Sequence, residues 1–310
     1  MCPGGDPSGS TTPGSNLSRF GQVPSPNVAP TLVDGILDYG SERFPVNPAA
    51  SLGWERSGAG AGCRVVYLAT RDEEVVHMLV TWSILAFLIS SLCWIAGDAL
   101  IVGFRKPDRR EHGEFIELMG DDAYAFYTRI NEPRLRWGAL VANYSIPLML
   151  AGLYAHWVLL RGSVFGVAGV VLLGIGFCLS PLAHAAFYPL ALASERAHAA
   201  YTSAGDREEP DGAVLEHARR LYRFLMAAWT PAVGLTALGW ILVCIALGSG
   251  ATVFPWWSLL LTPPVQALPW FALMRLPYPG KPLLDGALLN IINLVWAIAF
   301  LLLIASHPVT

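Results

Sequence analysis

The chain has 310 residues, of which 54% are hydrophobic and only 14% are charged, with a formal net charge of -3. A soluble domain is typically about 25% charged, so the composition argues against an ordinary soluble protein. The nearly balanced charge gives no reason to expect nucleic-acid binding. Apolar runs of about 20 residues or more instead indicate a polytopic protein whose partner is the lipid bilayer.

The N-terminal stretch, residues 1–69, is rich in Pro, Gly and Ser, as in GGDPSGSTTPGSN. Such a segment buries too little apolar surface to offset the entropy lost on ordering, and we predict a disordered tail. The residues Thr70 to Glu73 match a helix capping box. They predict that a transmembrane domain, residues 70–306, begins there.

Six apolar stretches long enough to cross a bilayer follow the tail. The predicted fold is therefore all-α, a polytopic membrane bundle of six transmembrane helices. The predicted ranges are about 74–104, 137–160, 163–195, 216–247, 253–274 and 283–304. Because the fifth contains Pro263, Pro264 and Pro269, we expect it to be broken or locally unwound.

The connection between the first two helices has apolar residues at helical spacing, including Phe115, Met119, Phe126 and Ile130. This spacing predicts a short amphipathic helix. Two placements are open: the helix could lie at the membrane interface, or it could be solvated on one side and packed on the bundle.

Lys and Arg alternate between the connections. The first, third and fifth contain fourteen of them together, and the second and fourth contain one. The positive-inside rule therefore predicts six crossings with both termini outside. We expect the protein to be integral to the plasma membrane.

The third helix has glycines along one side of its first half, at positions 162, 166, 169 and 176. A row of small residues lets a neighbouring helix approach closely. This glycine face is the predicted surface for a homo-oligomer.

Polar side chains recur at a common depth in five of the predicted helices. Asp98 lies near the end of the first helix, and an ionisable residue at membrane depth points to function. From the predicted helix limits, most of the polar residues lie roughly 9 to 17 Å from the inner surface. Lipid cannot solvate them, so we predict a polar-lined cavity that binds a hydrophobic small molecule. The predicted binding residues are Trp94, Asn143, Tyr188, Gln266, Asn290, Asn293 and Trp296.

Asp98, His184 and Glu195 are the candidate catalytic residues. A carboxylate can hold an imidazole in one tautomer and raise its basicity, which would make an acid/base couple. Asp98 could instead keep its proton and act as the donor, and Glu195 could lie in interfacial water. Packing roles are equally open: an ion pair for Asp98, and helix-to-helix hydrogen bonds for His184 and the asparagines.

Motifs for known chemistry are missing from the sequence. There is no DDxxD motif for magnesium, no HExxH zinc helix, no Walker A loop and no GxSxG nucleophile. We therefore expect no metal and no cofactor.

Three stretches resemble an uncharacterised family of six-span bacterial integral membrane proteins. They are WIAGDALIVGF (94–104), RLRWGALVANYSIPLMLAGLYAHW (134–157) and SPLAHAAFYPLALASE (180–195). The resemblance covers about residues 78–306. It implies a six-span fold and an emphasis on Asp98, His184 and Glu195, and it brings no assigned activity.

Three functions fit these observations. The first is a membrane enzyme, of the isomerase or cyclase type, that uses metal-independent acid/base chemistry on a lipid or isoprenoid-like substrate, with deep tryptophans stabilising a cationic intermediate. The second is a small-solute or proton-coupled carrier, because bent and broken helices are typical of transporter sites. The third is a membrane scaffold that assembles through the glycine face.

Overall fold

The computed structural model describes residues 59–102, 107–128, 131–205, 210–250, 252–276, 278 and 281–307. All regular elements in these ranges are helical, which confirms the predicted all-α class. The disorder predicted for residues 1–58 lies outside the described residues.

The described residues form eight α-helices and two 3-10 helices. The α-helices are α1 (Ala59–Val102), α2 (Arg109–Met119), α3 (Glu132–Tyr144), α4 (Ile146–Leu160), α5 (Val164–Ala204), α6 (Gly212–Gly248), α7 (Pro263–Leu273) and α8 (Lys281–Ser306). The 3-10 helices are η1 (Asp122–Tyr127) and η2 (Trp256–Leu261).

The first helix begins earlier than predicted. Because α1 starts at Ala59, Thr70 lies inside the helix rather than at its N-cap. The capping-box interpretation is therefore wrong, and residues 59–69 belong to the helix rather than to a tail. This stretch contains no proline to interrupt the hydrogen-bond ladder, so the helix can extend toward the N-terminus.

Five helical segments are long and apolar enough to cross a membrane. They are Glu73–Val102, Glu132–Leu160, Val164–Ala204, Gly212–Gly248 and Lys281–Ser306. They support a membrane-embedded protein in contact with lipid. The second of these joins α3 and α4, which meet at Ser145, because Pro147 has no N–H to continue the hydrogen-bond ladder of α3.

The predicted fifth helix is interrupted, as its prolines indicated. It consists of η2 and the 11-residue α7, with Thr262 extended between them at φ -73° and ψ 148°. The residue before a proline avoids the helical region, and proline fits the first turn of a helix, so the break falls directly before Pro263. Neither piece alone is long enough to span a bilayer.

Close contacts give the helices their directions. Val102 of α1 contacts Gly286 near the start of α8, and Phe254 packs on Phe300 near the end of α8, with ring centroids 5.1 Å apart. Gly97 of α1 lies against Gly138 of α3, and the α4 helix ends at Leu160 beside Gly166 of α5. We call the two ends of the bundle the Val102 end and the Leu160 end.

Two apolar cores fill the bundle. The first core lies toward the Leu160 end and includes Phe87, Phe177, Trp240, Trp296 and Phe300. The second core lies toward the Val102 end, where α2 and η1 pack against α5 and α6. The site described below lies between these two cores.

The α2 helix packs on the bundle, which favours the second of its two predicted placements. Phe115 and Met119 are buried, and Tyr201 of α5 donates a hydrogen bond of 2.7 Å to Glu114. The helix ends at Gly120, whose φ of +85° is the left-handed conformation that favours glycine. Phe126 therefore belongs to η1 rather than to α2, and Ile130 lies outside the described residues.

The glycine face of α5 is covered by α6 of the same chain. A Cβ atom on Gly169 would lie 2.9 Å from the Gly239 carbonyl oxygen, and one on Gly176 would lie 2.9 Å from the Thr236 nitrogen. Gly166 packs on Leu160, and only Gly162 has open space around it. The face is thus not available to a second copy, which corrects the predicted homo-oligomer surface.

Candidate functional site

A cavity of about 450 Å³ lies among α1, α5, α6, α7 and α8. This volume is in the range of small-molecule sites. Its walls are mostly apolar and aromatic. The polar side chains that line it are Asp98, Ser180, His184, Thr236, Asn290 and Asn293.

Glycine packing brings α1, α3 and α5 together beside Asp98. A Cβ atom on Gly97 would lie 3.0 Å from the Gly138 carbonyl oxygen and 3.2 Å from Cε1 of His184. Any larger residue at either glycine would push α3 or His184 away. The close approach of these helices therefore places His184 next to the carboxylate.

Asn290 of α8 is the second partner of Asp98. Its amide nitrogen donates a hydrogen bond of 2.7 Å to Oδ2 of Asp98. Gly286, one turn earlier, packs on Val102 and brings α8 against α1 at this level. The amide thus supports one carboxylate oxygen and leaves the other facing His184.

His184 is 3% exposed, and the contacts of its two nitrogens differ. Nδ1 lies 3.3 Å from the carbonyl oxygen of Ala139. A carbonyl oxygen can only accept, so we assign the proton of the neutral ring to Nδ1. Nε2 lies 3.4 Å from Oδ1 of Asp98, within ion-pair range, yet makes no hydrogen bond.

This arrangement allows the pair to share one exchangeable proton. With Nδ1 protonated, a lone pair on Nε2 would repel an ionised carboxylate. A second proton, on either Nε2 or Oδ1, makes the contact favourable as an ion pair or as a neutral acid and base. Asp98 keeps 15% of its side chain exposed and also lines the cavity, so this proton is within reach of a bound molecule.

Aromatic side chains surround the pair. The Trp94 ring packs on His184 with centroids 4.8 Å apart, and Phe187 lies 6.2 Å from the same ring. Trp229, Trp240 and Phe271 line the cavity further away. Such faces suit an apolar guest or a developing positive charge.

Tyr127 of η1 is buried near this site. Burial and the nearby Asp98 carboxylate raise the pKa of Tyr127 above its ordinary value. The phenol therefore stays protonated over the whole range in which proteins function.

Five of the ten sequence-predicted site residues meet at this cavity: Trp94, Asp98, His184, Asn290 and Asn293. Glu195 does not line it, because it lies eleven positions after His184, about 16 Å along α5. Tyr188 donates a 2.7 Å hydrogen bond to Glu132. Gln266 donates to the Leu261 carbonyl, and Asn143 lies outside the lining with its buried Oδ1 unpartnered.

Trp296 belongs to the first core rather than to the cavity wall. Its Nε1 donates a 2.9 Å hydrogen bond to Nε2 of His156, whose Nδ1 lies 3.0 Å from the Gly152 carbonyl oxygen. Both residues are fully buried. Trp296 follows Asn293 by three positions, and this shared helix face suggested a place at the site that the structure does not give it.

Sequence reasoning missed several lining residues. Ser180 and Thr236 bond to carbonyls of their own helices, at 2.9 and 2.8 Å, and the apolar lining of α6 and α7 looks like ordinary lipid-facing surface. The prolines that begin α7 did give a signal, since Pro263 and Pro264 border the cavity.

Comparison of the chain with protein-family models, curated proteins and solved structures gives no match. The resemblance to a six-span bacterial family stays a prediction. Function is therefore argued from the geometry of the site.

Proposed function

We propose that this chain is an integral membrane enzyme that moves a proton on a hydrophobic, lipid or isoprenoid-like substrate. The supporting observation is the Asp98–His184 pair, 3.4 Å apart, at the wall of a largely apolar cavity. An acid and a base that share one proton can both give and take it, which is the requirement of an isomerase or cyclase.

The steps balance without a co-reactant. Oδ1 of Asp98 donates its proton to one carbon of a substrate double bond, leaving a carboxylate and a carbocation. Loss of a proton from a neighbouring carbon to the pair gives the shifted double bond and restores the starting state. Asn290 holds the other carboxylate oxygen at 2.7 Å throughout, and the rings of Trp94 and Trp229 stabilise the cation.

The membrane arrangement that fits this function has six crossings with both termini outside, in the plasma membrane. Phe254 packs near the end of α8, and Lys281 begins α8 near Val102. The chain between these two points connects opposite ends of the bundle. This supports a further, broken crossing formed by η2 and α7, in addition to the five long helical segments. A reporter that is active only outside the cell, fused after Thr310, should be active; a silent reporter on folded protein would contradict this topology.

The decisive experiment compares lipids from cells that express the wild type or Asp98→Asn at matched levels. Asparagine can still accept from Asn290 and face His184, but it has no acidic proton to transfer. We expect mass spectrometry to show a lipid whose level changes with the wild type and not with the variant. Asp285→Asn, a carboxylate outside the cavity lining, should behave as the wild type.

A proton-coupled carrier is the second candidate. It is favoured by the break before Pro263, because Thr262 is extended and directly precedes two residues of the cavity lining, Pro263 and Pro264. A carrier would leave the lipid profiles identical, and vesicles would show proton-dependent solute uptake that Asp98→Asn abolishes. The membrane-scaffold hypothesis depended on a free glycine face for assembly, and α6 of the same chain covers this face.

A further inference from the structure

Three buried polar atoms on the cavity lining have no hydrogen-bond partner. They are Nε1 of Trp94, Nε2 of His184 and Nε1 of Trp240. Proteins keep few such atoms, and each calls for an explanation. All three belong to residues that line one cavity, so a ligand with a polar group is the occupant that could supply a missing hydrogen bond there.

Two of these atoms belong to rings that pack on each other, and they need opposite partners. The Trp94 and His184 rings are 4.8 Å apart. The indole N–H can only donate, and Nε2 of His184 accepts when Nδ1 bears the proton. A hydroxyl group suits both, because it can accept from the indole and donate to the imidazole, whereas a carbonyl oxygen can only accept.

The charge of the cavity argues against an anionic head group. Asp98 lines it, and none of its lining residues is Lys or Arg. A phosphate there would lack a cationic partner and would lie beside a carboxylate, an unfavourable arrangement at low dielectric.

The mouth of the cavity is apolar. The exposed large residues among its lining are Trp229 and Ile241 of α6, Phe271 of α7 and Leu289 of α8, which are 39% to 56% exposed. Three of them belong to segments long enough to span a membrane, so their exposed faces meet acyl chains rather than water. Trp229 and Ile241 are separated by about 18 Å along α6, so the lining extends over about three turns of this helix.

We infer that the cavity takes a lipid alcohol from the bilayer, with its hydroxyl at the edges of Trp94 and His184 and its chain along α6. This inference rests on the proposed function and names the substrate class of the same site. It is tested by binding alone, independently of turnover.

The first test measures binding of farnesol, farnesyl phosphate and farnesene to the purified full chain in nanodiscs. We expect farnesol to bind at least tenfold more tightly than the other two. Trp94→Phe should weaken farnesol binding about fivefold to tenfold, since it removes one hydrogen bond. Trp257→Phe, which alters an exposed tryptophan outside the lining, should leave it unchanged.

The second test locates the mouth by cysteine labelling in a background without the five native cysteines. Phe271→Cys should react with a membrane-partitioning alkyl maleimide, and farnesol should protect it. Leu268→Cys, on α7 but outside the lining, should react equally with and without farnesol. Labelling of Phe271→Cys only by a water-soluble sulfonated maleimide would overturn the bilayer-side mouth.

The outcomes separate this inference from the proposed function. Tighter binding of farnesyl phosphate than of farnesol, or wild-type affinity in Trp94→Phe, would overturn the lipid-alcohol assignment even if an Asp98-dependent lipid is found. Selective farnesol binding that persists in Asp98→Asn, with no changed lipid in cells, would support the ligand class and contradict the enzyme.

Discussion

Two of the three histidines that are buried in the described residues have opposite surroundings. His156 is 0% exposed and His184 is 3% exposed, so burial does not distinguish them. In both, Nδ1 faces a main-chain carbonyl oxygen. Nε2 of His156 accepts a hydrogen bond from Trp296, whereas Nε2 of His184 faces the Asp98 carboxylate without one.

The environment therefore decides what each ring can do. His156 is enclosed by Phe87, Trp240 and Phe300, with ring centroids 5.2 to 5.6 Å away, and its two nitrogens are occupied. His184 borders a cavity and has an acidic neighbour. The first ring stabilises the core, and the second is the ring to which the proposed function assigns proton transfer.

The largest expected effect comes from the same substitution at both histidines. In His184→Asn the side-chain amide can still bond Ala139, but no group faces Asp98. We expect the Asp98-dependent lipid product to fall by about 10²- to 10⁴-fold, with little change in unfolding by detergent titration. Full product formation by folded His184→Asn would break the comparison.

His156→Asn should show the reverse behaviour. The variant leaves the Trp296 N–H without its acceptor and shrinks a ring within the first core. We expect a loss of about 2 to 3 kcal/mol in the free energy of unfolding. Product formed per folded molecule should stay within about twofold of the wild type, and a specific loss of turnover would assign His156 a role in the site.

A smaller effect should come from overpacking the other side of α5. In Gly176→Ala the new Cβ would contact Thr236 Oγ1 and lie 3.0 Å from the Ala232 carbonyl oxygen, which should cost about 2 kcal/mol. Gly162→Ala, with no neighbour within 4 Å, should change stability by less than about 0.5 kcal/mol. Equal stabilities of the two variants in thermal unfolding would show that α5 and α6 pack more loosely in solution than in the structure.

The smallest effect concerns Asp285, whose two side-chain partners lie close to it in the chain. Asp285 accepts from Tyr278 and pairs with Lys281 at 3.3 Å, and this hydrogen bond raises the pKa of Tyr278 to about 12. The contribution of this Tyr278–Asp285 hydrogen bond to stability is complete below pH 10, the ordinary phenol pKa, and is lost as the pH rises toward 12. Asp285→Asn should lower the pKa of Tyr278. A pH titration of the tyrosinate absorbance would measure this change, and Tyr278→Phe would identify the part of the absorbance that belongs to Tyr278.

Much of the fold could be predicted because membrane helices are coded locally. Apolar length sets the spans and the prolines that begin α7 set the break, and neither depends on distant residues. The start of α1 was misplaced because a capping pattern can also occur inside a helix. The depth argument brought Asp98 and His184 together correctly, since two costly polar groups at one level tend to meet.

The same depth argument failed for residues that bond to other side chains instead of lining the cavity. Tyr188 bonds Glu132, and Trp296 bonds His156. Depth follows from position in a helix, but the direction of a side chain around the helix axis depends on which neighbour packs there. Trp296 and Asn293 share a helix, yet only Asn293 lines the cavity.

By itself the sequence determined the apolar spans, the proline break and the residues that are costly to bury, because these follow from transfer energies and backbone chemistry along the chain. The tertiary structure alone decided that α6 covers the glycine face and that Asn290 reaches Asp98. Asp98 and Asn290 are 192 positions apart in the chain. Packing between helices that are distant in the sequence sets the rotation of each helix about its axis. This rotation decides whether a side chain lines the cavity or is buried in a core.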